Sequence, residues 1–195
     1  MPAHPPAAPG PRKPKPKLAA AELFDLAVRS LARRAQSTSE LRNRLRLRAA
    51  EESAVDEVLT RLREYGYLDD RRFAETFVES RLSNQGFGRT RTLNDLRSRR
   101  VAGPVADAAV EQAYRETDEL KLIEEYIRRK YRAVPREALF QSDKDLAGAY
   151  RRLLRAGFRA GNIVRILKKF AKNPELLDAI EEPDEDRSGD TFPTN

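Results

Sequence analysis

Three times along the chain, apolar residues fall at nearly the same intervals, and that recurrence limits the fold more than any other feature. Leu45, Ala50, Val55, Val58 and Leu59 are separated by 5, 5, 3 and 1 positions. Leu96, Val101, Val105, Ala108 and Ala109 give 5, 4, 3 and 1, and Leu153, Phe158, Ile163, Ile166 and Leu167 give 5, 5, 3 and 1. Fourteen residues before Leu45 and Leu96 stand Leu31 and Leu82, which close the helical faces Phe24, Ala27, Val28, Leu31 and Phe73, Phe77, Val78, Leu82. Spacings of three and four belong to helices. The unit is therefore a longer helix, a short helix, a turn and another helix, recurring at a period of about 50 residues. A third copy opens with Leu120, Ile123 and Ile127 and carries extra residues, AVPREALFQS, before its second helix. Helical units stacked in series build a continuous core from modest apolar content. That suits a chain in which 39% of residues are hydrophobic and 35% charged.

One stretch tests the helical reading. ELRNRLRLR, residues 40–48, alternates leucine and arginine, which at period two would be a half-buried strand. Ser37 followed by Glu40 is a capping-box pattern that starts a helix. Residues 40–48 contain no β-branched side chain, while Arg, Leu and Glu are good helix formers. The stretch is read as a helix burying Leu41 and Leu45, with Leu47 left off that face.

Punctuation elsewhere agrees. Gly66 reads as a left-handed C-terminal stop, with Asp69 as the next N-cap and Asp70 near the positive end of the following helix dipole. Tyr65 and Tyr67 flank that stop and are expected to pack between repeats one and two, and Pro104 suits a first helical turn. Helices are expected over 19–35, 39–49, 54–65, 70–84, 89–100, 104–115, 118–132, 143–156 and 160–171. The fold class is all-α, in three tandem three-helix repeats. The expected division is a disordered Pro-rich basic arm over 1–17, repeats over 18–66, 67–115 and 116–172 (the last with its insertion), and an acidic disordered tail over 173–195.

Inventory narrows the chemistry. The chain has no cysteine and a single histidine, His4, inside the Pro-rich arm. That leaves no cluster for zinc and no Ser–His or Cys–His pair. GFGRTR around Gly86 lacks the strand and the Lys-Ser/Thr of a phosphate loop. Asp69, Asp70, Glu75 and Glu79 are better read as caps and as ion-pair partners of Arg71 and Arg72 than as an acid–base pair. The expectation is a non-enzyme without cofactor or metal. No stretch approaches a membrane span, so a cytoplasmic protein, as a monomer, is expected.

The formal charge of +7 and pI near 9.8 call for an acidic partner. Arginines recur at equivalent places: Arg42, Arg44, Arg46 and Arg48 in repeat one, then Arg89, Arg91, Arg97, Arg99 and Arg100 in repeat two. Arg151, Arg152 and Arg155 follow in repeat three, with Lys168 and Lys169 beyond. A stacked array would join them into a stripe able to meet phosphates; solvated helix faces in an Arg-rich chain would look the same. Few Asn or Gln and no aromatic platforms stand on these helices, so base-specific readout is not indicated. Candidate binding residues are Arg42, Arg46, Arg71, Arg72, Arg89, Arg91, Arg97, Arg100, Arg151, Arg152 and Arg155.

These residues resemble a known family. LARRAQSTSELRNRL (Leu31 to Leu45) and REYGYLDDRRFAETFVESR (Arg63 to Arg81) are similar to the RecX regulatory proteins of bacteria. That family has a Ser-x-x-Glu-Leu helix start and a Tyr-Leu-Asp-Asp-x-x-Phe-Ala run, here Tyr67-Leu68-Asp69-Asp70-Arg71-Arg72-Phe73-Ala74. The similarity continues through GRTRTLNDLRSRRV and RRLLRAGFRAGNIVRIL, over most of residues 20–171. It implies three tandem three-helix repeats in an elongated, curved array. It also implies binding to the recombinase RecA along its nucleoprotein filament, with inhibition of recombination and of ATPase activity, and DNA phosphates as a secondary contact. Two departures stand out: Arg99-Arg100-Val101 where the family commonly has Gly before the apolar residue, and the insertion in repeat three. The alternative is an autonomous, non-sequence-specific DNA-binding helical protein.

Overall fold

The computed structural model describes residues 17–135, 139–171, 174, 175 and 177. The expected arm over 1–17 and tail over 173–195 therefore lie almost wholly outside the described residues. Among those residues there are nine α-helices and no strand: α1 Ala20–Arg33, α2 Thr38–Arg46, α3 Glu52–Glu64, α4 Asp70–Ser80, α5 Arg89–Ser98, α6 Gly103–Tyr114, α7 Glu119–Lys130, α8 Asp143–Arg155 and α9 Ala160–Leu167. The chain divides into two compact units, Met1–Asp69 and Asp70–Asn195.

In the first unit the capping box forms as the sequence implies. The Glu40 N–H donates to Ser37 Oγ (3.1 Å) and the Ser37 N–H donates to Glu40 Oε2 (3.2 Å). Leu41 and Leu45 are fully buried with Leu23, Ala27, Val55, Val58, Leu59 and Leu62. Each such aliphatic side chain contributes roughly 1.5–3 kcal/mol by leaving water. Leu47, at the α2 C-cap, is 77% exposed, which resolves the alternation in ELRNRLRLR as one helical face plus one solvent-facing leucine. After α3 the Tyr67 N–H reaches back to the Leu62 carbonyl (2.9 Å) and the Gly66 N–H to that of Arg63 (2.9 Å). This pair of bonds closes a Schellman stop. Tyr65 and Tyr67 are not buried: they are 59% and 58% exposed, in edge contact with each other and, through Tyr65, with Phe24.

The second unit holds two three-helix groups. α4–α6 bury Ala74, Val78, Leu96, Val101, Ala106, Ala109 and Val110. α7–α9 bury Ile123, Ile127, Leu153, Phe158, Ile163, Ile166 and their neighbours, and Tyr114 packs against both cores. Two residues of the insertion belong to this second core. Leu139 and Phe140 are buried, and the Phe140 ring stands edge-on to Tyr131 at 5.2 Å. Leu177, placed by the sequence reading in the acidic tail, is also buried there.

A second difference lies between α4 and α5. Continuous helix is expected to residue 84, but α4 ends at Ser80 and the chain continues as a wider π turn, Arg81–Gln85. Local propensity has no marker for one extra residue per turn. Arg81 Nε lies 3.2 Å from Asp95 of α5, a tertiary approach without hydrogen-bond alignment, and its guanidinium covers the ring of Phe77 on the preceding turn at 4.7 Å.

The two groups of this unit are locked backbone to backbone. The Gly88 N–H, at the start of α5, donates to the Ala156 carbonyl (2.8 Å), and the Thr90 N–H donates to that of Gly157 (3.3 Å). Orphan donors at one helix start thus meet orphan acceptors at another helix end, with opposite ends of the two dipoles in register. The approach needs both glycines. A Cβ on Gly88 would strike the Gly157 carbonyl, and one on Gly157 would strike the Arg91 backbone.

Helices α5 and α8 end alike, at equivalent positions of the repeat. After α8, Gly157 has φ +90°, with bonds Gly157 N–H to Leu154 O (2.9 Å) and Phe158 N–H to Leu153 O (3.3 Å). After α5 the same bonds run from Arg100 to Arg97 (2.8 Å) and from Val101 to Leu96 (3.2 Å), but the left-handed residue is Arg100, φ +58°. The departure from the family's glycine is thus a strained stop of unchanged geometry. Arg100→Gly should stabilise the protein by about 0.5–1 kcal/mol, the left-handed penalty less glycine's greater unfolded-state entropy. A urea midpoint that rises at constant slope checks this; a midpoint unchanged or lowered refutes it.

Candidate partner-binding surface

The second helix of each group carries most of the candidate arginines, and what faces them on the third helix differs between groups. In the first unit Arg42 pairs with Asp56 and Arg46 with Glu52. In the α4–α6 group Arg89 pairs with Glu111, and Arg97 with Asp107 at 3.4 Å. All four connect a second-helix arginine to a third-helix acid. Exposed pairs of this kind contribute about 0–1 kcal/mol each, so their arginines are already part-neutralised rather than locked. Arg71 pairs along its own helix with Glu75 (3.0 Å), and Arg72 is exposed beside it.

The third group breaks the pattern. α9, AGNIVRIL, contains no acidic residue. Arg151 and Arg155, one turn apart on α8, are both exposed and face no acidic partner of the kind found in the other groups. Arg152, between them in sequence, lies with its guanidinium 5.5 Å from the Tyr131 ring centroid. Arg165 on α9 adds a further exposed cation.

Two predicted site residues also have structural roles. Arg91 donates to Asp95 (3.0 Å) and to the Arg155 carbonyl (3.2 Å), and its guanidinium is 5.0 Å from the Phe87 centroid. It braces the α5–α8 junction. Arg100 is the left-handed helix stop described above. Each was chosen as a cation on a helix surface, and sequence has no means of showing that the backbone around it is in use.

Several polar groups that sequence reasoning did not single out hold this surface in place. The Tyr114 hydroxyl donates to the Phe87 carbonyl (2.7 Å), which leaves the Thr92 hydroxyl to donate to it (2.9 Å). Burial raises the Tyr114 pKa above its ordinary value, partly offset by the Thr92 bond, so the phenol stays neutral at physiological pH. Burial likewise raises Tyr131, against the Arg152 charge. Glu119 accepts from the Arg159 N–H (3.0 Å) and from Asn162, capping α9 from another helix. Arg129 donates to the Asn84 carbonyl (3.2 Å), a second tie between the groups of this unit. Among the described residues no group of three or more His, Cys, Asp and Glu side chains is placed to hold a metal. Nor is any helix there long and apolar enough to cross a membrane.

Comparison with known proteins agrees with the architecture. The profile of the RecX first three-helix domain matches residues 24–62, and that of the RecX second three-helix domain matches residues 69–110. The regulatory protein RecX of Streptomyces lividans is 30% identical over 161 residues, covering 83% of this chain and 79% of that protein. The regulatory protein RecX of Amycolatopsis mediterranei is 32% identical over 163 residues, covering 80% of this chain and 86% of that one. The crystal structure of RecX from Lactobacillus salivarius aligns with a TM-score of 0.59 at 18% identity, over 77% of this chain and 96% of that one. At that identity the likeness speaks for the fold.

Proposed function

This chain belongs to the RecX family of regulatory proteins, and from that premise we propose that it binds RecA and its nucleoprotein filament. On this reading it inhibits the recombinase and its ATPase activity, and so modulates DNA repair and recombination. It acts as a cytoplasmic monomer, by occupying a surface rather than by catalysing a reaction. The observation that carries the reading beyond membership is the exposed cationic face of α8 and α9. Its charge is met by no acid on α9, so it suits an acidic protein surface or a phosphate backbone. DNA phosphates are the secondary contact, and the same face favours a second reading, in which the protein binds DNA without RecA.

Sedimentation separates the two. RecA assembled on single-stranded DNA with ATP should carry the chain into the pellet at ratios up to equimolar, with ATP hydrolysis and strand exchange reduced. A chain left in the supernatant with both activities unchanged would overturn the proposal. Equal sedimentation on DNA alone would assign it to the autonomous DNA-binding class.

A further inference from the structure

The third helical group carries, beside its cationic face, a groove that nothing in the proposed function uses. It has a volume of 490 Å³ and an apolar floor of Ile127, Tyr131, Leu139 and Phe170, with Val134, 41% exposed, at its edge. Lys121, Arg128 and Arg132 stand on the rim with Glu124 and Glu125. Both acids are already engaged, Glu124 by Lys169 (2.7 Å) and Glu125 by Arg128 (4.0 Å). Arg152, with its guanidinium 5.5 Å from the Tyr131 ring centroid, brings a cation of α8 to this groove. An occupant of the groove would therefore sit against one of the cations proposed to meet the partner.

The chain itself supplies a segment of matching chemistry. Residues 178–195, DAIEEPDEDRSGDTFPTN, hold seven acidic residues against one arginine, and one aromatic ring, Phe192. They follow directly on Leu177, which is buried in the same apolar cluster that supplies Ile127, Tyr131, Leu139 and Phe170. The acidic segment thus begins one residue beyond a side chain of the core that floors the groove. Phe192 lies fifteen residues beyond Leu177. Extended, that stretch reaches up to roughly 50 Å, so distance is no obstacle. Tethering holds such a segment at an effective concentration in the millimolar range, enough for a weak contact to be well populated.

We propose that residues 178–195 fold back onto the third helical group as an internal acidic competitor. Phe192 fills the apolar groove, and the carboxylates between Glu181 and Asp190 lie along Arg128, Arg132 and the α8 arginines. The segment occupies the charge that a phosphate backbone or acidic protein surface would otherwise meet. Its consequence for binding rests on the proposed function; its docking does not.

Two readouts keep these apart. Amide hydrogen exchange over Tyr126–Arg132, measured without partner, should be slower in the full chain than in a chain ending at Leu177. Phe192→Ser should give an intermediate rate and rules out a folding defect of the shortened chain. Affinity for an oligodeoxythymidine single strand at low salt should rise about tenfold on removal of the segment, as expected if only about a tenth of molecules are open at any moment. Adding the 178–195 peptide to the shortened chain should reverse both changes. Identical exchange with and without the segment would overturn the proposal. Changed exchange with unchanged affinity would retain the docking and overturn the competition.

Discussion

Gly157→Ala should destabilise the protein by about 3 kcal/mol, the largest effect expected of any single methyl group added to this chain. Two costs add. The residue sits at φ +90°, where a side chain is strained by roughly 1 kcal/mol or more. The new Cβ also meets the amide nitrogen, Cα and Cβ of Arg91, a residue whose guanidinium is already tied to the Arg155 carbonyl of α8. A rigid backbone cannot move aside as a side-chain tip can, and overpacking of this kind costs a further 1–3 kcal/mol. Relief would require α5 to back away from α8, breaking the bonds from Gly88 and Thr90. Gly148→Ala supplies the contrast. It lies inside α8 with open space where its Cβ would go, so it should stabilise by about 0.5–1 kcal/mol through helix propensity. Urea unfolding followed by far-ultraviolet circular dichroism distinguishes these outcomes. Equal midpoints for the two variants would show that the junction is not under constraint.

The paired change Arg151→Glu with Arg155→Glu should weaken association with RecA filaments, or with single-stranded DNA, by roughly tenfold for each reversed charge at low salt. Stability should hardly move, since both side chains are exposed on α8. Arg97→Glu is the informative comparison. It would set a second carboxylate against Asp107 on the neighbouring helix, so it should cost a few tenths of a kcal/mol in stability and less in binding. If Arg97→Glu weakens binding as much as the α8 pair does, contact is spread along the repeats and the α8 arginines have no special place. If the α8 pair unfolds the chain, those arginines are packing residues.

Helix positions were legible because they rest on local chemistry. Ser37 with Glu40, Gly66 and the i, i+3, i+4 leucines announce starts, stops and buried faces without reference to the rest of the molecule. The π turn at Arg81–Gln85 was not legible, since the contact that accompanies it, Arg81 with Asp95 of α5, is not local. The insertion read as an interruption because Leu139 and Phe140 have no helical periodicity; only packing against Tyr131 shows them to be core. For the arginines, sequence located the cations on second helices, yet their availability depends on the third helix opposite. Asp56, Glu52, Glu111 and Asp107 stand on those third helices, while AGNIVRIL has nothing to offer. Reading each second helix against the acids of its third would have ranked the candidates.

That bare third helix has a thermodynamic meaning as well as a geometric one. A guanidinium facing its own carboxylate needs no mobile anion beside it, so it has little to give up when a polyanion arrives. Arginines without such partners hold solution anions instead, while a nucleic acid holds a sheath of condensed cations; contact sets both free into bulk. The entropy of small ions then favours arginines such as Arg151 and Arg155 over those that face an acid of the third helix. Ionic strength should act there first, weakening the contacts of those arginines more than the contacts of the internally paired ones.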